Sequence, residues 1–414
     1  MRHFTYRNDK LFSENTDIGK ITKKINTPFY CYSLNAIKEN INNFKNNTHN
    51  INAKLCFALK ANSNLTILSE IAKEGFGADV VSKGEFKKAL KSGIKSDNIV
   101  FSGVGKSYDE IKFAIQERCF QINAESISEI KKINEISGNL KLTQNIAIRI
   151  NPNVTPDTHS KITTGSLENK FGITIEEAIK VFDQASLFKN INIIGIAFHI
   201  GSQIMEIDPF EKACIAAKKM IEKIESTGSK IKTIDVGGGI GISEKNEFQF
   251  VEYFKMIQKY FDRKDDLQVI LEPGRTILGN AGIVVSKVLY IKETKTKNFA
   301  IIDAGMNDFI RPALYDAQHP IIPLIKKDNK KKFPLDVVGP ICESSDKFLS
   351  TDEFQDLNEG DYIAILNTGA YGSSMSSNYN VRPLIEEILI NNDQFYIIKK
   401  IQTFEEIIMN ETNL

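Results

Sequence analysis

No charge of one sign dominates this sequence: 53 lysines and arginines face 52 aspartates and glutamates, for a formal net charge of +1. That balance excludes a bulk electrostatic pull toward nucleic acid or a membrane surface. The basic tracts, such as Lys326-Lys-Asp-Asn-Lys-Lys-Lys332, are short and interrupted, and read as solvated loops. No run approaches the roughly 18 apolar residues of a membrane-spanning helix, and the stretch from Met1 to Asn8 lacks a signal-peptide core. The five cysteines (31, 56, 119, 214 and 342) show neither CxxC nor metal-ligand spacing. A scattered, odd count fits a reducing compartment, so the expectation is a cytoplasmic protein without a metal. Internal repeats and low-complexity segments are lacking too.

Two nucleotide motifs are incomplete. Asp235-Val-Gly-Gly-Gly-Ile-Gly241 would need a glycine at 242 for a dinucleotide fingerprint, and position 242 is Ile. Phe101-Ser-Gly-Val-Gly-Lys-Ser107 resembles half a P-loop, but Val100 stands where its first glycine belongs. The second stretch reads instead as a strand-to-helix turn, with Ser107 capping the helix.

What is present is a globular profile, 42% hydrophobic and 25% charged, in a chain of 414 residues. That length exceeds one compact core and suggests two domains. Apolar strand candidates recur at Leu55–Lys60, Ala78–Ser82, Ile99–Ser102, Phe120–Ala124, Asn145–Asn151, Ile193–Ile200, Thr233–Val236 and Gln268–Glu272. Amphipathic helical spacing fills the gaps; Phe86, Ala89, Leu90 and Ile94 give one such face. Alternating strand and helix means a parallel sheet covered by helices: a closed (β/α)8 TIM-like barrel, or an open doubly wound sheet. Beyond about residue 275 short β-rich runs take over, an all-β second domain of sandwich or barrel type. The expected division is a lead-in over 1–34 that packs with the β domain, a barrel over 35–275 and a β domain over 276–414.

In a barrel, the site lies at the carboxyl ends of the strands. Lys60, Arg149 with Asn151, His199 with Ser202, Gly237 to Gly239, and Glu272 with Arg275 all fall there. An ammonium ending an apolar strand is costly unless it is paired or serves chemistry. Such a lysine can form a Schiff base with an aldehyde cofactor, or can snorkel to solvent. Consecutive glycines let amides converge on a phosphate, or simply make a tight turn. Glu272 could hold a pyridine nitrogen protonated, and His199 could stack on a flat ring. In the β domain, Cys342 sits beside Glu343 in a Gly-Pro turn rather than in an apolar run, and Tyr371 centres a Gly/Ser-rich ligand-type loop.

With these pieces placed, the chain resembles the fold-type III, pyridoxal-phosphate-dependent decarboxylases of the alanine-racemase-like barrel group. The motifs run in order along nearly the whole length: Phe57-Ala-Leu-Lys-Ala-Asn62, Gly77-Ala-Asp-Val-Val-Ser82, Lys170-Phe-Gly172, His199-Ile-Gly-Ser-Gln203, Gly237-Gly-Gly239, Glu272-Pro-Gly-Arg275, Cys342-Glu-Ser344 and Gly369-Ala-Tyr-Gly372. The likeness is greatest to the branch acting on diaminopimelate. It implies release of CO2 from meso-2,6-diaminopimelate to leave L-lysine, the last step of lysine synthesis.

The resemblance implies roles for single residues. Lys60 would carry pyridoxal 5'-phosphate, His199 would cover its ring and Glu272 would meet its nitrogen. Ser202, Gly237, Gly238, Gly239, Pro273, Gly274, Arg275 and Tyr371 would line the cofactor, chiefly at its phosphate. Arg275, Arg311, Tyr315, Glu343 and Tyr371 would bind the substrate, and Cys342 would return a proton to carbon. Cys342 and Glu343 would come from the partner of a homodimer with shared sites. Two departures stand out: Lys83 where relatives carry a small residue, and Phe57 and Leu59 for Tyr and Val. Ornithine and arginine decarboxylases usually read Cys-Asp-Gly in place of Cys342-Glu-Ser344, so Glu343 with Arg311 points to a substrate with a second amino acid centre. A carboxylated polyamine precursor, a racemase and a non-catalytic homologue are the other readings.

Overall fold

The computed structural model describes residues 3–154, 170–244, 246–262, 266–328, 330, 331 and 333–412. The chain divides into two units, one of Ile41–Thr276 and one joining Met1–Asn40 to Ile277–Leu414. Positions 329 and 332 of the basic tract lie outside the described residues.

In the first unit eight parallel strands follow one another around a closed ring. They are Ala53–Ala58, Gly77–Val80, Ile99–Phe101, Gln121–Ala124, Gln144–Arg149, Ile191–Ala197, Thr233–Asp235 and Gln268–Leu271. Leu271 pairs with Leu55, which closes the barrel and leaves no edge strand. The closed barrel is therefore the architecture, and the open sheet is not. Gly77–Val80, Ile99–Phe101 and Thr233–Asp235 are buried throughout, as expected of strands covered on both faces.

The helices between the strands begin on side-chain caps encoded locally. Asn64, Ser82, Ser107, Ser126 and Thr174 each accept a first-turn backbone N–H, and Ser107 and Thr174 complete capping boxes with Glu110 and Glu177. Each such cap contributes about 1 kcal/mol and fixes where the chain turns from the rim into the outer helix. The Ser107 cap was legible in the sequence.

Strands end earlier than their apolar runs. Lys60 was expected as the last residue of a strand; instead the strand stops at Ala58 and Lys60 sits in a single 3-10 turn, Leu59–Ala61. The Ala58 N–H leaves the strand ladder for the carbonyl of Pro273 at 3.1 Å, so the chain bends there while Leu59 and Ala61 stay buried.

The second unit is sheet-rich. The Gly282–Glu293 strand pairs antiparallel with Phe29–Ser33, Asn298–Ile302 and Tyr362–Ile365. Phe29–Ser33, buried along its whole length, also runs parallel to Glu386–Asn391. In the lead-in before it, where no strand was assigned from the sequence, Phe4–Arg7, Lys10–Ser13 and Thr16–Asp17 form a three-stranded meander. Strands this short carry too little alternation to be read. The turn between the first two does carry a signal, since Asn8 and Asp9 both take positive φ, 47° and 61°, as a tight hairpin requires. Phe4, Leu11, Ile18, Phe29, Ile283, Ala364 and Ile388 form one buried cluster, so the amino-terminal segment shares the core of this unit. Among the described residues no helix is long and apolar enough to cross a membrane.

Candidate active site

A cavity of 230 Å³ opens at the carboxyl ends of the barrel strands, lined among others by Lys60, Asn123, Arg149, His199, Asp235 and Glu272. Lys60 Nζ lies 2.7 Å from Oδ2 of Asp79. Asp79 is fully buried, and its other oxygen, Oδ1, has no hydrogen-bond partner among the described residues. Asp79 reaches this place because Ala58 and Asp79 are register neighbours on adjacent strands.

His199 follows the strand Ile191–Ala197 by two residues. Burial, then the charges of Lys60 and Arg149, lower its pKa well below the ordinary imidazole value, so the ring is neutral. Its Nδ1 accepts the Gly238 N–H at 3.3 Å, which places the proton on Nε2. The three glycines are sterically required here. Gly237 has φ 68°, and a Cβ on Gly238 would stand 2.2 Å from the carbonyl oxygen of Glu272. The turn is thus pressed between His199 and Glu272.

Beside it, Arg275 Nη2 donates to Ser202 Oγ at 2.9 Å. Arg275 is the first residue of the short helix Arg275–Leu278 and is buried. The floor of the cavity is acidic. Burial, then the charges of Asp235 and Asp79, push the Glu272 carboxyl well above the ordinary carboxylate range. Arg149 is neutralised by Glu125, at 2.6 Å, and its guanidinium lies 4.7 Å from the Phe171 ring centre.

In the β unit a second group of candidate residues comes together. The helix Arg311–Tyr315 places the Arg311 guanidinium 5.3 Å from the Tyr315 ring centre and 5.9 Å from that of Tyr371. Arg311 is 5% exposed, and its Nε has no hydrogen-bond partner among the described residues. Tyr371 adopts a left-handed φ of 55° between Ala370 and Gly372. Cys342 is exposed, whereas the other four cysteines are buried. Next to it Glu343 accepts the Tyr379 hydroxyl at 2.6 Å.

The sequence had given no role to Asp79, Glu125 or Asp235. A carboxylate within an apolar barrel strand, as in Gly77-Ala-Asp-Val80, is the signal that could have singled out the first. Lys83 is placed away from the cavity lining, its ammonium 5.1 Å from the Phe113 ring centre. Lys106 of the half P-loop is buried and structural: it pairs with Glu129 at 2.8 Å and donates to the carbonyl of Asn123 at 2.9 Å.

Residues 34–279 match the family model described as the pyridoxal-binding domain of pyridoxal-dependent decarboxylases. A diaminopimelate decarboxylase of Haemophilus influenzae is 41% identical, over 98% of this chain and 98% of its own. A crystal structure of diaminopimelate decarboxylase from Helicobacter pylori complexed with L-lysine superposes with a TM-score of 0.91 at 41% identity, covering 95% of this chain and 99% of that one. The corresponding M. jannaschii enzyme, also in complex with L-lysine, gives a TM-score of 0.93 at 35% identity over 100% of this chain and 98% of that one.

Proposed function

The chain belongs to the pyridoxal-dependent decarboxylases, among the diaminopimelate decarboxylases, and on that footing we propose that it converts meso-2,6-diaminopimelate to L-lysine and CO2. The observation that carries this reading is the barrel cavity, where one lysine, a buried imidazole and a buried carboxyl converge beside a three-glycine turn.

The cavity fits pyridoxal 5'-phosphate. Lys60 would hold the cofactor covalently, His199 would cover its ring, and Glu272 would meet its nitrogen. Ser202, Gly237 to Gly239, Gly274, Arg275 and Tyr371 would take the phosphate, and Pro273 makes their turn rigid. Two features of the chain support the fit. The glycine turn has no room for a single Cβ at Gly238, and buried Asp79 keeps an unpartnered oxygen beside Lys60. When bound, the cofactor supplies an aldehyde carbon for an amine and a cationic ring that takes up the electron pair departing CO2 leaves behind.

The protein's share is binding, orientation and proton placement. Asp79 holds the Lys60 ammonium in the cavity. Arg311, buried with an unsatisfied Nε, is suited to fork the distal carboxylate of the substrate, and Arg275 to assist it. Glu343 takes the distal ammonium, with Tyr315 and Tyr371 flanking. The Cys342 thiol gives its proton to the carbon that lost CO2. Exposure of Cys342 and Glu343 suits residues that complete the site of a second copy, so the active form is a homodimer with shared sites.

The test is CO2 release by the cofactor-loaded protein on meso-diaminopimelate, ornithine, arginine and lysine in parallel. Turnover confined to diaminopimelate is expected. Turnover on ornithine or arginine would overturn the roles of Arg311 and Glu343.

A further inference from the structure

Asp235 has no part in the reaction as described, yet it is 1% exposed in the floor of the cavity. It ends the Thr233–Asp235 strand, next to the strand that delivers Glu272. Its Oδ1 accepts the Gly237 N–H at 2.9 Å, and its Oδ2 accepts Asn123 Nδ2 at 2.8 Å. Asn123 is itself oriented, because its Oδ1 accepts Gln121 Nε2 at 2.8 Å. Against this doubly supported carboxylate, on the neighbouring strand and in the same cavity lining, lies the carboxyl of Glu272, within reach of a shared hydrogen bond.

Two carboxyl groups can share a hydrogen bond only if one of them carries a proton. Asp235, with two N–H donors, is the better ionised acid, which leaves the proton on Glu272. The remaining groups facing the pair are Asp79, Lys60 and Cys56, with His199 and Arg149 on the cavity wall. His199 is neutral, and Arg149 is held by Glu125.

We infer that Asp235 is a positioning residue for Glu272: it fixes that carboxyl through their shared bond, and its charge strengthens the grip of the Glu272 site on a proton. This inference rests on the pyridoxal phosphate reading of the cavity. On meeting a pyridine nitrogen, Glu272 passes its proton to the nitrogen lone pair and becomes a carboxylate, while Asp235 stays ionised. No charge is gained or lost in the step. The second carboxylate behind Glu272 then keeps the nitrogen protonated to higher pH than Glu272 could alone. The same residue grips Gly237 by its amide, so the glycine turn and the proton site are set by one side chain.

The test uses the full-length protein loaded with cofactor carrying a 15N ring nitrogen, and reads the protonation of that nitrogen by NMR as pH rises. Asp235→Asn is expected to lower the midpoint of proton loss by about one pH unit or more, and Asp235→Glu to restore it. A folded, fully loaded Asp235→Asn that titrates like the wild type overturns the inference and leaves the decarboxylase reading intact. A wild-type protein that takes up no cofactor overturns that reading instead. Should Asp235→Asn not fold or load, the infrared carboxylic-acid band of the cofactor-free protein decides. In Asn123→Ala, where Asp235 loses one donor and competes for the proton, the band lost in Glu272→Gln is expected to weaken while a second carboxylic-acid band appears. A band of unchanged intensity overturns the inference.

Discussion

Lys60 Nζ and Asp79 Oδ2, 2.7 Å apart, form an ion pair of unequal burial: the lysine side chain is 35% exposed and the aspartate side chain fully buried. The cost of the pair therefore falls on Asp79, which would be an uncompensated buried charge without its partner. Lys60→Ala is expected to abolish turnover and to leave no adduct after borohydride reduction of the loaded protein, read by mass spectrometry. It should also destabilise the cofactor-free fold by about 2 kcal/mol, below the ~3–5 kcal/mol of a fully buried pair because solvent reaches Lys60. The double variant Lys60→Ala/Asp79→Asn should recover most of that loss in denaturant unfolding. If the single variant is as stable as the wild type, the pair does not hold the Asp79 charge.

Arg311 predicts a change in substrate affinity rather than in cofactor loading. Its buried guanidinium stacks toward Tyr315 and Tyr371 and keeps Nε available. Lysine in its place offers a point charge in place of a planar fork. Arg311→Lys is expected to raise KM for diaminopimelate by roughly 10- to 100-fold, with cofactor stoichiometry unchanged. Steady-state kinetics beside cofactor absorbance checks both, and an unchanged KM removes Arg311 from the substrate.

Asp308 predicts a pH dependence of stability. Burial is the chief cause that pushes its carboxyl from 3.8 up to about 7, and the charges of Asp303 and Asp346 add to it against Gly305 and Arg382. The folded state thus binds a proton that the unfolded state releases. The contribution to stability is full below about 4 and is lost as pH rises toward about 7, at up to ~1.4 kcal/mol per unit. Asp308→Asn cannot ionise, and its carbonyl can still accept the Gly305 N–H that Oδ2 accepts at 2.8 Å. The variant should gain on the wild type between pH 4 and 7 in urea unfolding. A constant difference across that range would show that Asp308 does not titrate there.

The alternation of apolar strands and amphipathic helices from Leu55 to Glu272 determined by itself a parallel sheet covered by helices. Each strand must be covered on both faces, and the helices that cover it are encoded beside it, down to caps such as Ser107. The motif-bearing residues Lys60, His199, the three glycines, Glu272 and Arg275 were legible for the same reason, since a barrel puts strand ends at one rim. Short strands such as Phe4–Arg7 were not legible, because four residues show no decisive period, and their partners lie far along the chain.

Only the tertiary structure decided closure over an open sheet, because the Leu271–Leu55 pairing joins the last strand to the first across the whole unit. It alone brought Asp79 to Lys60 and Asp235 to Glu272. A carboxylate's meaning depends on what faces it at a few ångströms, and sequence spacing does not carry that. Lys106 and Lys60 both follow apolar runs, yet one is locked to Glu129 and the other opens into a cavity. Sequence placed the candidate groups at a rim; packing set which charges face each of them.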